Sequence, residues 1–344
     1  MTSYVIWNNK GGIGKTMLSF LLSTEYALQY PDKNIVVVDM CPQANVSQVL
    51  LGGSDNVKNY QEIIKSKKTV ADYIINRIEK TPYQKAGNEA LYYVNPSEYN
   101  SQIPSNIFLI PGSSKLEILN QSIDTYATAL SVGEVQNWKA VYNWLNDLKD
   151  GIINTIGENT VFFIDTNPSF ANYTKMAILS ANRLIIPCFA DVGSLLAIQN
   201  LMYFLYDIKS DSIAVNMRND FVKNIKEYNM SLPLIYMLIV GRSTMYNEKA
   251  AAAFKFVEEN IEKTINDYKK QHNGTVFVNS NFNIVQKLRD LNSVAPLINV
   301  KGELLSNMKG GQPTDLYTDS GTQMRIPTNI KDFQQAVKDI VHNL

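Results

Sequence analysis

Four short apolar runs in this chain carry no alternation: Tyr4-Val5-Ile6-Trp7, Ile35-Val36-Val37-Val38, Val161-Phe162-Phe163-Ile164 and Leu184-Ile185-Ile186-Pro187. A strand with one wet face alternates apolar and polar side chains. Unbroken runs of this length therefore belong at the centre of a sheet covered on both faces. Pro233 to Val240 fits the same description, and Asn106 to Ile110 is a shorter example. Between these runs the apolar spacing turns helical. Thr16 to Tyr30 puts Leu18, Leu21, Leu22, Tyr26 and Leu28 on one broad surface before Pro31 stops the helix. Trp138 to Ile156, Ser194 to Ile208 and Asn247 to Lys270 read the same way. Strands alternating with helices imply right-handed crossovers, and so an α/β fold: a doubly wound, mostly parallel sheet flanked by helices. One domain spanning 1–344 is expected. Residues 53–105, rich in Asn, Lys, Tyr and Ser, predict a peripheral insertion with a helix around Thr69–Ile78 plus loops. Residues 305–325, with Gly310, Gly311, Pro313 and Gly321, predict an exposed loop.

Composition removes several functions. The 32 basic and 32 acidic residues cancel, so bulk charge cannot coat nucleic acid, and any DNA contact needs a local patch. Two cysteines, Cys41 and Cys188, are too few for a disulfide framework or a four-thiolate metal site, which points to a reducing compartment. The amino-terminal residues show no basic leader, and the longest greasy run is about half the ~20 residues of a membrane span. A soluble, cytoplasmic chain is expected. His272 and His342 lie in or near polar segments and suggest no catalytic pair.

Directly after the first run the chain reads Asn8-Asn9-Lys10-Gly11-Gly12-Ile13-Gly14-Lys15-Thr16, and a helix follows. Glycines let successive backbone N–H groups turn inward around an anion, and the helix N-terminus adds partial positive charge. Lys15 is placed to neutralise β- and γ-phosphate oxygens, and the Thr16 hydroxyl to bind Mg²⁺. The predicted nucleotide-binding stretch for ATP or ADP is Asn9, Lys10, Gly11, Gly12, Ile13, Gly14, Lys15, Thr16 and Met17. Asp39 and Asp165 each end an apolar run, where ligands bind in open α/β sheets. Asp165 is the predicted Mg²⁺ ligand, acting through water, with Asp39 supporting the water shell; a strand-terminal Asp otherwise serves as a helix cap.

This loop begins with Asn9 where the usual phosphate loop has glycine, and Lys10 comes next. It resembles the deviant Walker A motif, Lys-Gly-Gly-x-Gly-Lys-Thr, of the ParA/MinD family of P-loop ATPases. Asp39-Met40-Cys41-Pro42-Gln43-Ala44-Asn45 and Asp165-Thr166-Asn167-Pro168-Ser169 resemble that family's Walker A′ and Walker B segments, and Ile284 to Pro296 a late ParA segment. The resemblance implies that Lys10 reaches across an ATP-induced homodimer to the partner's nucleotide. It also implies a short, Soj-like form without a helix-turn-helix before the first strand. ParA-like proteins serve plasmid or chromosome partition and DNA segregation, or position a cargo. They bind DNA non-specifically as the ATP dimer, and a ParB-like or cargo adaptor protein triggers release, so a nucleoid-associated location follows. The basic positions available for DNA are Arg218, Lys223, Lys226, Arg242, Lys249, Lys255, Lys287 and Arg289, with Arg242, Lys287 and above all Arg289 preferred.

The chain departs from this family at two positions. Cys41 stands where the family has the aspartate that activates water, and Asn167 where it usually has proline. A thiol of pKa ~8.5 stays mostly protonated and replaces a carboxylate poorly, so slow ATP hydrolysis is expected with Lys10, Lys15, Asp39 and Cys41 as the catalytic set. Cys41 is equally readable as a small buried apolar residue. A non-hydrolysing nucleotide-gated adaptor and a MinD-like membrane switch are the alternatives. The second is disfavoured because the amphipathic segment 329–344 balances Lys331 and Lys338 against Asp332 and Asp339 and lacks a polybasic face. A nitrogenase-reductase-like protein would need paired cluster cysteines. Cys41→Asp is expected to raise ATP turnover severalfold in a steady-state phosphate-release assay, and an unchanged rate would reject the role given to this position.

Overall fold

Seven strands lie parallel in one sheet in the order β3-β2-β4-β1-β5-β6-β7. They are β1 (Thr2–Ile6), β2 (Asn34–Met40), β3 (Ile107–Ile110), β4 (Thr160–Thr166), β5 (Arg183–Phe189), β6 (Leu234–Arg242) and β7 (Val285–Arg289). The computed structural model describes residues 1–129, 136–209, 219–242, 248–289, 294–317 and 320–344. Six of the strands fall on the six apolar runs; β7, with two charged residues among five, gives no such signal. The expected doubly wound parallel sheet is the observed fold.

The unbroken runs are explained by burial on both faces. Val5, Val36, Val38, Phe162, Ile164, Leu184 and Ile186 point into one core. It includes residues of the helices Val70–Ile78, Lys115–Thr128, Trp144–Ile156 and Asn172–Leu179. Their neighbours Tyr4, Ile6, Ile35, Val37, Val161, Phe163 and Ile185 point the other way, into a core shared with the helices Lys15–Gln29 and Ile330–His342. The latter helix buries Ile330, Phe333, Val337, Ile340 and Val341, so its apolar face is covered by the chain itself. Beyond it, the Tyr4 hydroxyl and Arg183 Nη1 donate to the Leu344 carbonyl, and the Tyr236 hydroxyl donates to the Asn343 carbonyl at 2.6 Å. Among the described residues no helix is long and apolar enough to cross a membrane.

Three segments differ from expectation. The helical pattern of 138–156 is two helices, Asn137–Tyr142 and Trp144–Ile156, broken at Asn143, whose side-chain oxygen accepts from Asn146 Nδ2 at 2.9 Å. Asparagine competes for local polar groups in this way and weakens helix interiors. Within 305–325, expected as an exposed loop, β8 (Pro313–Tyr317) pairs antiparallel with β9 (Gln323–Arg325). Within 53–105, a helix Val57–Ser66 lies where the composition predicts loop. The expected second helix, Val70–Ile78, starts at a capping box between Thr69 and Asp72 and buries Val70, Ala71, Tyr73 and Ile74 completely. Its Arg77 is fully buried against Asp147 at 2.7 Å, the Tyr73 hydroxyl and the Pro82 carbonyl.

One buried cation is matched differently. Lys149 is fully buried and donates to the carbonyl of Ser180, which ends the helix Asn172–Leu179, and more weakly to Asn146 Oδ1 and Ser3 Oγ. Burial, only partly opposed by Asp150, lowers its pKa to about 7. From that value up to the ordinary lysine range the unfolded chain binds a proton that the folded chain releases. Stability from this group therefore rises with pH, by up to about 1.4 kcal/mol per pH unit. Lys149→Met should remove this rise, seen as a parent-minus-variant difference in urea-unfolding free energy that grows with pH above neutrality; a difference independent of pH would give Lys149 an ordinary pKa.

Candidate functional site

Strand β1 sits between β4 and β5, and the chain crosses the sheet in opposite directions on its two sides, which opens a crevice at the carboxyl ends. Loop 7–14 fills that crevice between the ends of β4 and β5. Gly12 and Gly14 have φ of 70° and 77°, the left-handed region that only glycine enters cheaply. A Cβ on either would meet no atom within 4 Å, so backbone conformation rather than space demands glycine. Gly14 precedes the helix Lys15–Gln29, and no side chain caps its first turn. Asn8 staples the loop to the sheet: its Nδ2 donates to the Pro187 carbonyl at 2.8 Å, and its Oδ1 accepts from Lys10 N at 3.2 Å.

The two lysines of the loop face different partners. Lys15 is buried, and its ammonium donates inward to the carbonyls of Lys10 at 2.8 Å and Asn8 at 3.1 Å. Burial lowers its pKa to about 8, with the charge of Asp165 acting the other way. Lys10 turns outward and grips both carboxylate oxygens of Asp191 in its own chain, at 2.5 and 2.6 Å. Asp191 also caps the helix Val192–Tyr206 by accepting from Ser194 N at 2.8 Å. Partial burial raises the Asp191 pKa, but the Lys10 and Ser194 bonds outweigh it and leave the carboxyl below its usual range.

Asp165 and Asp39 are fully buried neighbours in the paired strands β4 and β2. Asp165 accepts from the Thr16 hydroxyl at 3.0 Å and the Ser19 hydroxyl at 2.7 Å. Asp39 instead accepts from the Ser47 hydroxyl at 2.6 Å and from the backbone N–H groups of Ser47 and Cys41, each at 3.0 Å. Ser47 in turn accepts from Gly112 N at 3.0 Å. Asp39 is thus tied to the turn after β2 and to the first turn of the helix Asn45–Leu50, while Asp165 touches the residue after the loop lysine. Burial holds both carboxyls above the ordinary range, and the proximity of Asp39 adds to the effect at Asp165.

Cys41 is 6% exposed, and its thiol is pushed up to about 12 by burial and then by the charges of Asp39 and Asp165. Beside the loop opens a mainly apolar cavity of about 260 Å³, lined among others by Ile13, Met17, Leu21, Pro187, Phe189 and Leu288. Ser19, Ser47, Asp191 and Ser194 are site residues that the motifs do not indicate. Only Asp191 had a local signal, an acidic residue between a strand and a helix in cap position. Of the basic positions, Lys287 is paired with Glu258 and Glu262, which takes up its charge. Arg242 and Arg289 are register partners on β6 and β7. Their side chains and that of Lys249, and the whole of Arg218, lie outside the described residues.

A parallel sheet with a glycine loop after β1 and a buried carboxylate at the end of β4 defines a P-loop NTPase fold. The family model of the AAA domain matches residues 1–219, and the chain belongs to that family. Three solved structures share the fold. The ATP complex of a point variant of Cyanothece McdA has a TM-score of 0.56 at 15% identity, covering 100% of this chain and 96% of that one. A putative plasmid partition protein of Borrelia burgdorferi B31 bound to AMPPNP has 0.51 at 14%, covering 100% and 99%. pNOB8 ParA bound to nonspecific DNA has 0.53 at 13%, covering 99% and 96%. No curated protein matches the chain.

Both free thiols, Cys41 and Cys188, are buried and held protonated. Iodoacetamide at neutral pH should therefore label neither in the folded chain and both in denaturant; rapid native labelling of Cys41 would contradict the burial described here.

Proposed function

We propose that this chain is a ParA-like ATPase that dimerises on ATP and, as the dimer, binds DNA without sequence preference in plasmid or chromosome partition or in positioning a cargo. The observation that carries the reading is a cluster of buried titratable groups at the glycine loop, each displaced from its ordinary range by burial. A buried ammonium, Lys15, has two backbone carbonyls as its hydrogen-bond partners among the described residues. Beside it two buried carboxyls, Asp39 and Asp165, are held above their usual range. A triphosphate with a divalent cation relieves both conditions at once. Lys15 and the N–H groups of Gly12 to Thr16 would hold phosphate oxygens, and the apolar cavity by Met17 and Phe189 would take the adenine. Mg²⁺, held by Thr16 and through water by Asp165, would draw charge from the phosphate oxygens; Asp39, engaged with Ser47, would keep the start of the helix Asn45–Leu50 in place.

Lys10 would serve the partner's nucleotide, and its hold on Asp191 makes that a switch: the ammonium must leave Asp191 before it can cross the dimer seam. Arg242 and Arg289, brought together by β6 and β7, are the favoured DNA contacts. A ParB-like or adaptor protein would stimulate release, and binding to nucleoid DNA would set the location. Hydrolysis would be slow because the Cys41 thiol stays neutral. That same thiol favours the second reading, a nucleotide-gated adaptor that does not hydrolyse.

Light scattering and a DNA mobility shift test the scheme together. ATP but not ADP should give a dimer that retards DNA, with retardation falling steeply as salt rises. Lys10→Ala should remain monomeric, and Asp191→Asn should dimerise at lower ATP. A monomer under all conditions, or retardation equal in ADP and ATP, would overturn the proposal.

A further inference from the structure

The loop after Asp165 is held by a chain of side-chain hydrogen bonds that ends at an exposed carboxylate. Asn167 Nδ2 donates to the Tyr173 hydroxyl at 2.7 Å, and that hydroxyl donates to Glu117 Oε2 at 3.0 Å. Asn167 Oδ1 accepts from Thr174 Oγ1 at 2.8 Å and Ser169 Oγ at 3.0 Å, so the whole amide is engaged. Tyr173 and Thr174 are fully buried. Glu117 lies in the first turn of the helix Lys115–Thr128, on the surface.

Both ends of this chain reach the site. The next residue, Pro168, packs over the phosphate loop: a Cβ placed on Gly11 would lie 3.9 Å from Pro168 Cγ. At the other end, the helix bearing Glu117 starts three residues after Gly112, whose N–H is bound to Ser47, which holds Asp39. A proline at 167 would set φ covalently. Asparagine cannot, so the rigidity of the turn rests on its side-chain bonds. An amide does not pass a proton on readily, so this chain orients groups rather than conducting protons.

We propose that Glu117, acting through Tyr173 and Asn167, is a positioning residue for ATP hydrolysis: it holds turn 166–169, and with it Asp165, in register with the phosphate loop. This rests on the ATPase reading above. What matters in Glu117 is then an acceptor oxygen, not a negative charge.

Steady-state hydrolysis of Mg-ATP by the full chain, with kcat and KM separated and melting temperature recorded, tests this. Tyr173→Phe removes only the hydroxyl, and Glu117→Ala removes the surface acceptor together with its charge. Each should lower kcat about tenfold while KM stays within about twofold, because displaced geometry costs rate more than affinity. Glu117→Gln keeps an acceptor oxygen and should restore kcat to near the parent value. Since Glu117 is exposed, its variants report even where Tyr173→Phe folds poorly. Parent-like kcat in Glu117→Ala overturns the inference, as does a Glu117→Gln rate as low as that of Glu117→Ala, or a loss confined to KM or melting temperature. A parent chain that turns over no ATP overturns the hydrolytic reading and this inference with it, whereas a parent that hydrolyses beside indifferent variants overturns the inference alone.

Discussion

Two hydroxyls bonded to one buried carboxylate hold the site together. Thr16 and Ser19 stand one helical turn apart on the helix that follows the glycine loop, and both donate to Asp165 at the end of β4. These bonds join the first strand–helix unit to a strand about 150 residues later in the chain. They fix the helix N-terminus, and therefore the loop amides, against the carboxyl edge of the sheet. A carboxylate at zero exposure is costly unless it is paired or hydrogen-bonded, so the pair of hydroxyls is also what makes Asp165 tolerable there.

The arrangement leaves electrostatic stress in place. Lys15 is bound to carbonyls, and Asp165 and Asp39 crowd each other across neighbouring strands. Proteins concentrate such perturbed groups where a ligand later balances them. Asp39 shows the limit of that logic. Its oxygens are occupied by Ser47 and the Cys41 amide, so it anchors the start of the helix Asn45–Leu50 in this structure, the cap-like role that a strand-terminal aspartate often has. Lys10 shows the opposite case: its charge is already balanced, within its own chain, by Asp191. Two lysines five residues apart in one loop therefore differ in kind, one buried on backbone carbonyls, the other partly exposed and paired with a carboxylate.

The sheet and the loop were legible in the sequence because their signals are local. A buried parallel strand must be apolar on both faces, which is why Tyr4 to Trp7 and Val161 to Ile164 could be read without alignment. β7 could not, because it is an edge strand in which Gln286 and Lys287 reach solvent between the buried Val285 and Leu288. The break at Asn143 was missed because it depends on a polar side chain rather than on periodicity.

The sequence by itself determined the class of fold and the phosphate loop, since glycines with positive φ and a lysine at a helix start constrain each other within nine residues. Only the tertiary structure decided the partners: Lys10 with Asp191, and Asp165 with Thr16 and Ser19. The reason lies in the order of strands. β1 lies between β4 and β5, so residues some 150 to 180 positions apart become neighbours, and hydrogen bonds reaching about 3 Å leave no trace in spacing along the chain.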